Sequence, residues 1–338
     1  MPVAFFQDLW YNRGMITERG QSMKKKMLSK TWVVALLAFF SCFLWGSAFA
    51  AVKTSYEMLH IDAGEWASQL VFGGLRFAVA GVMAIGFGSI CTKRILLPAR
   101  QSLPKIGIIS LFQTILQYFC YYIGLAHTSG VRAAVLVGVN VFMAILISSL
   151  LFHLERFTAR KLIGSMIGFS GIILINLNGL SDGSPFSLIG EGLILLCTVS
   201  SGFSSACMKK LSGNEDPVML SGWQFFFGGL VLMGIGLLGG GVMPVFSAGS
   251  FALLLYLAFI SAAAYSVWAL LLKHNPVSRV AVFGFLNPVC GVIISAVVLH
   301  EAKQIDLSFL AALLLVCAGI VTVNYTKSVP ADNGSDDS

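Results

Sequence analysis

The sequence predicts an all-α membrane protein, with ten transmembrane helices arranged as two inverted five-helix repeats and both termini in the cytoplasm. Three observations lead to this fold class. The 338 residues are 57% hydrophobic and only 11% charged, whereas soluble domains carry roughly 25% charged residues. Ten apolar runs follow one another with short connections, and one long stretch of the chain occurs twice.

About 20 apolar residues are needed to cross a bilayer as a helix. Three prolines, Pro104, Pro217 and Pro276, lie at or just before the starts of predicted helices, where a missing N–H does no harm. The ten predicted spans cover approximately 32–52, 67–90, 104–125, 130–152, 160–178, 187–208, 218–240, 249–272, 277–299 and 307–326.

Polar segments flank the spans. Residues 1–30 form a predicted cytoplasmic extension, and Met23 is an alternative start to Met1. Lysines before an apolar run also describe a signal peptide, but this run is longer than usual and nine more follow, so we predict a retained first span. The polar tail 328–338 is predicted to be disordered.

The positive-inside rule gives the orientation, because Lys and Arg accumulate in cytoplasmic loops. One side carries only Lys53, Arg132 and Lys303. The other carries eighteen: Arg13, Arg19, Lys24, Lys25, Lys26, Lys30, Lys93, Arg94, Arg100, Lys105, Arg156, Arg160, Lys161, Lys209, Lys210, Lys273, Arg279 and Lys327. The net charge of +7 therefore orients a membrane protein and indicates no nucleic-acid partner.

The stretch 118–153 recurs at 265–300, shifted by 147 positions, with ten of 36 residues identical. Residues that apolar chains use sparingly coincide: two histidines, an arginine and the pair Asn140 and Asn287. Phe-Gly-Gly-Leu at 72–75 recurs at 227–230. The repeats are predicted as 31–178 and 187–327. Five helices per copy is an odd number, so the second copy enters the membrane from the opposite side, a plan of secondary transporters.

The order and spacing of several motifs resemble the EamA-type drug/metabolite transporter superfamily across roughly residues 30–327. These motifs are Trp45-Gly46-Ser47, Arg76-Phe77, Asn287-Pro288 and His300-Glu301. The resemblance implies a bacterial inner-membrane carrier, often an exporter of amino acids, related metabolites or toxic compounds. The family usually has a proline in helix 4, where this chain has Asn140 followed by Val141.

Candidate substrate contacts are the polar and aromatic residues within the spans. Arg76 is the one basic residue deep in a predicted span; it either attracts a substrate carboxylate or fixes helix 2 by bonding to neighbouring helices. Asn140 and Asn287 either line the pathway or bond between helices, and Pro288 frees a carbonyl one turn earlier, that of Gly284. The remaining candidates are Trp45, Ser47, Gln117, Tyr121, Tyr265 and Trp268, for which helix packing is the alternative.

The predicted function is therefore a carrier that exports a small organic solute by alternating access. A lipid or isoprenoid flippase is the alternative, and a membrane-embedded enzyme is disfavoured because no nucleophile, metal or acid–base cluster is recognisable. No cofactor or metal site is predicted. Gly164 and Gly168 form a GxxxG motif that suggests close packing, either within the fold or in a homodimer. Carboxylates lie only at span ends, so a facilitator, an exchanger and a proton antiporter all remain open.

Overall fold

The computed structural model describes residues 26–62, 64–128, 136–175, 186–298 and 307–324. Every regular element in these ranges is helical, and no strand occurs within them. The predictions about residues 1–25, Met23, Arg132, His300, Glu301, Lys303 and the tail 328–338 lie outside the described residues.

Helices occupy all ten predicted places. In the first half, α1 is Thr31–Leu59, α2 is Trp66–Thr92 and α5 is Ala159–Ile175. Between α2 and α5, α3 consists of Leu103–Ser110, a π-helical turn Leu111–Leu116 and Gln117–Ala126. It is followed by α4, which consists of Asn140–Leu146 and a π-helical turn Ile147–Leu151. In the second half, α6 joins a π-helical turn Leu188–Gly192 and Leu193–Leu211, α7 is Pro217–Leu238, α8 is Ala248–His274, α9 joins Val277–Ala281, a 3₁₀ turn Val282–Phe285 and Leu286–Val298, and α10 is Leu307–Asn324.

Six of the described helices are long and apolar enough to cross a membrane, judged by length and composition. Shorter apolar helices lie in α4, α9 and α10. The chain is thus a multi-pass membrane protein, while the crossing of all ten helices stays a prediction. The six segments are Thr31–Ala48, Trp66–Thr92, Arg100–Leu125, Leu188–Leu211, Pro217–Leu238 and Ala248–His274.

Local sequence explains where several helices begin and end. The Asp216 side chain accepts hydrogen bonds from two backbone N–H groups in the first turn of α7, where Pro217 needs none. Ser247 and Ser250 form a reciprocal capping box at the start of α8. α1 continues seven residues past the predicted end at Val52, because no glycine or proline interrupts it. It ends at His60, which adopts a left-handed conformation with φ 54°.

α2 and α7 approach each other closely because glycines face each other where they cross. A Cβ on Gly74 would lie 2.4 Å from the backbone nitrogen of Met233 and 2.6 Å from the carbonyl oxygen of Gly229. A Cβ on Gly229 would lie 2.5 Å from the nitrogen of Ala78 and 2.6 Å from the carbonyl oxygen of Gly74. Gly74 and Gly229 hold the same place in the repeated Phe-Gly-Gly-Leu motif. The two contacts are therefore equivalent, and exchanging the two halves of the chain turns each one into the other.

Further contacts are related in the same way, both at the α2–α7 crossing and between other helices. Between α5 and α10, Gly164 and its neighbour Gly168 pack against Gly319, so this GxxxG motif is used within the chain. Each of the following contacts has a counterpart in which the two halves are exchanged. Between α2 and α7, Gly81–Gly222 corresponds to Gly236–Ala67, and between α5 and α10, Gly164–Gly319 corresponds to Gly171–Ala312. The contact Gly46–Cys290 between α1 and α9 corresponds to Gly202–Met143 between α6 and α4.

One end of the bundle, here called the basic end, gathers side chains that the sequence assigned to the cytoplasmic side. Lys105 Nζ lies 2.7 Å from Glu215 Oε1, and this lysine holds the pKa of the Glu215 carboxyl below its ordinary value. Lys273 donates to the Glu215 carbonyl oxygen at 2.6 Å, and Lys209 donates to the Lys273 carbonyl oxygen at 3.0 Å. Nearby contacts at this end involve Glu155, Lys161, Ser278 and Arg279.

We expect Gly74→Ala to lower the melting temperature of the purified protein by several degrees, because its methyl group would overlap the α7 backbone. Overpacking of this kind costs about 1–3 kcal/mol. Gly86→Ala in the same helix is the matched control, since a Cβ there meets nothing within 4 Å; it should leave the melting temperature unchanged or raise it. Equal effects of the two substitutions would contradict the close crossing.

Candidate functional site

Aromatic side chains from five helices meet in one group, here called the aromatic cluster. Phe77 and Tyr118 have ring centroids 4.3 Å apart. The Trp45 ring lies 4.9 Å from Tyr265 and 5.0 Å from Trp268. Residues far apart in sequence are thereby brought together. The members are Trp45 of α1, Phe77 of α2, Tyr118, Tyr121 and Tyr122 of α3, Phe225 of α7, and Tyr265 and Trp268 of α8.

A residue and its own repeat copy meet in this cluster. The hydroxyl oxygens of Tyr118 and Tyr265, 147 positions apart, are joined by a hydrogen bond of 2.6 Å. Tyr265 also packs edge-on against Phe225, with centroids 4.9 Å apart. The two halves therefore face each other here through equivalent side chains.

Glycine makes room for one of the rings. A Cβ on Gly73 would lie 2.6 Å from Cε2 of Tyr122, so the missing side chain lets the Tyr122 ring rest on α2. Tyr122 itself is buried. The first glycine of the Phe-Gly-Gly-Leu motif thus admits an aromatic ring, while the second, Gly74, admits the backbone of α7.

Arg76 is buried beside the cluster and joins α2 to α8. Its Nε donates to the carbonyl oxygen of Leu257 at 3.3 Å, and its Nη2 donates to Ser261 Oγ at 3.0 Å. The guanidinium also lies 5.1 Å from the Phe77 ring centroid. Leu257, Ser261 and Tyr265 are spaced four residues apart and share one face of α8, so Arg76 orients the face that presents Tyr265.

The magnitudes favour a structural contribution from Arg76. A charged residue near the bilayer centre costs about 2.5–3.5 kcal/mol on insertion scales, and hydrogen bonds to a charged group contribute about 1.5–3 kcal/mol each. Its two bonds to α8 are enough to offset that cost, so its stability requires no bound anion. Among the described residues, no Asp or Glu forms an ion pair with Arg76.

The predicted candidates do not all lie together. Trp45, Tyr121, Tyr265 and Trp268 belong to the aromatic cluster, with Gln117 beside Tyr265. Ser47 instead lies on the other face of α1. Ser47 follows Trp45 by two residues, a rotation of about 200° around the helix axis. Its Oγ bonds to Tyr256 Oη at 2.9 Å and to the Leu44 carbonyl oxygen at 2.8 Å.

Asn140 and Asn287 hold equivalent places in α4 and α9, and the Oδ1 atom of each is buried without a hydrogen-bond partner. Pro288 follows Asn287, and a 3₁₀ turn, Val282–Phe285, includes Gly284, the residue whose carbonyl was predicted to be freed. The neighbouring carbonyl oxygen of Phe283 accepts a hydrogen bond from Cys42 Sγ of α1 at 3.2 Å. The same oxygen also accepts from the Leu286 N–H of its own helix, so the Cys42 thiol adds a second bond from a neighbouring helix.

Sequence reasoning did not identify Phe225, Ser261 or Glu155. Phe225 and Ser261 have no distinguishing motif among many apolar and small residues of their helices. Glu155 carries a signal, since it is a carboxylate directly after a span, but its partner Ser278 lies in the other half of the chain. Such pairings become visible only in the folded structure.

Comparison with known proteins gives consistent results. The model of the EamA-like transporter family matches residues 32–177 and again residues 188–325. An uncharacterized transporter of Bacillus subtilis (strain 168), YvbV, is 29% identical, with 90% of this chain and 94% of the relative covered. A protein of Escherichia coli (strain K12) named "Probable amino-acid metabolite efflux pump" is 25% identical, covering 88% of this chain and 96% of the relative.

A solved crystal structure supports the fold. It is similar to this chain with a TM-score of 0.70 and 18% sequence identity, and the match covers 86% of this chain and 97% of the other. At this level of identity the likeness concerns the fold alone.

A double-mutant cycle tests whether Arg76 acts as a link to α8. We expect Arg76→Met and Ser261→Ala each to lower the melting temperature of the purified protein, and the double variant to lose less than the sum of the two. The expected coupling is about 1.5–3 kcal/mol, that of a hydrogen bond to a charged group. Additive losses, or an unchanged melting temperature in Arg76→Met, would instead favour a role in binding a substrate carboxylate.

Proposed function

The chain belongs to the EamA-like transporter family, and we propose that it exports a small organic solute, an amino acid, related metabolite or drug-like compound, by alternating access. Family membership makes it a membrane transporter and not an enzyme. The direction, the solute and the alternating mechanism are the proposal. The E. coli relative named as an efflux pump for amino-acid metabolites favours this solute class and direction.

The reciprocal contacts carry the proposal. Tyr118 bonds to its copy Tyr265, and Gly74 packs against its copy Gly229. When two copies are related by a two-fold axis, every contact between them has a counterpart in which the copies are exchanged, as these contacts do. With five helices per copy, that axis lies in the membrane plane and the copies are inverted. Each half can then take the conformation of the other, which exposes a shared site to opposite sides in turn.

We place the solute between the halves, beside the aromatic cluster and the paired asparagines. Trp45, Gln117, Tyr121, Tyr265 and Trp268 offer apolar area with a few polar atoms, which suits an amphipathic solute. Arg76 positions the Tyr265 face and adds positive charge nearby. Asn140, Asn287 and Pro288 line the α4 and α9 side, and Ser47 contributes only if α1 rotates.

Unsatisfied polar atoms support this placement. Trp45 Nε1, Gln113 Oε1, Asn140 Oδ1 and Asn287 Oδ1 are buried and have no hydrogen-bond partner. A buried polar group without a partner costs about 1–3 kcal/mol. Polar groups of a bound solute can pair with these atoms, and the indole N–H donor and the amide acceptors offer both kinds of bond.

The basic end is proposed to face the cytoplasm, and the membrane is proposed to be the bacterial inner membrane. The contacts that join Lys105, Lys209, Lys273 and Glu215 gather at one end the lysines that the positive-inside rule assigns to the cytoplasm. Neither a homodimer nor a coupling ion is needed for the mechanism proposed.

Two experiments in sequence test the function. Strains that overexpress or lack the protein are compared for tolerance and release of amino acids, related metabolites and toxic compounds, and the solute identified is then assayed for flux in proteoliposomes. We expect overexpression to raise release and tolerance, and the reconstituted protein to carry the solute. Uphill flux driven by an imposed proton gradient would identify a proton antiporter. Transbilayer movement of a lipid without solute flux would favour the flippase alternative.

Replacement of Asn287 with Leu should abolish flux while leaving the amount of protein in the membrane near normal, because the Oδ1 acceptor is lost where the solute binds. Asn140→Leu should reduce flux as well, since it removes the equivalent acceptor. The control is Thr322→Val in α10, where the exposed hydroxyl donates to the Ala318 carbonyl oxygen of its own helix. Loss of folded protein in Asn287→Leu would mean that this residue only joins helices.

A further inference from the structure

Glu155 accepts four hydrogen bonds at the basic end. It lies in the connection between α4 and α5, and only 7% of its side chain is exposed. Its carboxylate accepts from Ser278 N–H at 2.9 Å, Ser278 Oγ at 2.6 Å, Ser148 Oγ at 2.8 Å and Lys161 Nζ at 2.9 Å. No function considered above uses this group.

The four bonds divide into two sets. Ser148 and Lys161 belong to the same half as Glu155 and hold the carboxylate in place. Ser278 belongs to the other half, in the first turn of α9, where backbone N–H groups have no partner within the helix. The residue before α9, Pro276, supplies no side-chain cap. A carboxylate from the first half therefore satisfies a helix start in the second.

α9 connects this contact to the candidate solute site. From Ser278 the helix runs through the 3₁₀ turn Val282–Phe285 to Asn287 and Pro288. Along the way, Cys42 of α1 donates to the Phe283 carbonyl oxygen and is fully buried. Movement of the first part of α9 away from α4 and α1 would break the bonds to Ser278 and uncover Cys42.

We propose that Glu155 is a positioning residue that locks the start of α9 to the first half and so closes the basic end of the transporter. The proposal rests on the alternating access proposed above. When the basic end opens, the two bonds to Ser278 break, while those to Ser148 and Lys161 keep the carboxylate in place for re-closure. Two charge-assisted bonds make the closed form the favoured one in the absence of solute.

Ser278→Ala and Ser148→Ala form a matched pair for the test. Each removes one buried hydroxyl bond to the same carboxylate, of 2.6 Å and 2.8 Å, but only the first joins the two halves. The reporter is Cys42, retained as the sole cysteine after replacement of Cys91, Cys120, Cys197, Cys207, Cys290 and Cys317. A membrane-impermeant sulfonated maleimide is applied to inside-out or right-side-out vesicles, and the labelling rate is measured.

We expect Ser278→Ala to raise the Cys42 labelling rate several-fold when the reagent reaches the basic end, and Ser148→Ala to stay within about twofold of the parent. Glu155→Gln keeps an acceptor oxygen but loses the charge, and it should fall between the parent and Ser278→Ala. If Ser278→Ala does not fold, Glu155→Gln tests the same contact with Ser278. Equal rates in the Ser278→Ala and Ser148→Ala proteins, or a faster rate from the opposite side, would overturn the proposal.

The labelling needs no solute, so its outcome is separate from that of the transport assay. If flux is found but Ser278→Ala leaves Cys42 protected, the export function stands and the lock is wrong. If labelling behaves as expected but no solute is carried, the lock stands and the proposed function is wrong.

Discussion

The close approach of α2 and α7 is the constraint on which the rest of the structure depends. Gly74 and Gly229 bring the two backbones within a distance that no side chain could share. In a membrane, where lipid tails are as apolar as leucine, helices associate through such close packing. Because the contact is between copies of one motif, it also fixes how the halves face each other. The Tyr118–Tyr265 bond likewise joins equivalent positions of the two halves, and the α5–α10 glycine contacts correspond to each other when the halves are exchanged.

A second constraint is the low tolerance of the interior for polar groups without partners. Arg76 meets it by bonding to α8. Asn140 and Asn287 do not meet it, since their Oδ1 atoms remain unpaired. The contrast separates two kinds of polar residue: Arg76 is bonded as a structural residue is, whereas the asparagines keep unpaired acceptors, which is why we propose them as solute contacts.

The sequence predicts the helices because apolar length is a local signal, and it predicts the internal repeat from rare residues such as Asn140 and Asn287, which recur at one spacing. It also places Pro104, Pro217 and Pro276 at helix starts, as the structure confirms. The π-helical turns in α3, α4 and α6 were not predicted, since no residue type marks them as Pro288 marks the irregular turn in α9. The position of Ser47 opposite Trp45 follows from helix geometry alone, whereas the pairing of Glu155 with Ser278 depends on how distant segments pack.

The departures from repeat symmetry occur where a carrier that opens at one end would need them. Pro288 has no counterpart at Val141, and the 3₁₀ turn of α9 precedes Asn287, whereas the π-helical turn of α4, Ile147–Leu151, follows Asn140. The Glu155–Ser278 contact places the end of α4 beside the start of α9. Both irregular turns therefore lie between the asparagines and the basic end, one on each side of the proposed lock. A change in helical winding there can move the start of α9 without disturbing the α2–α7 crossing, because the glycines of that crossing lie in regular helix.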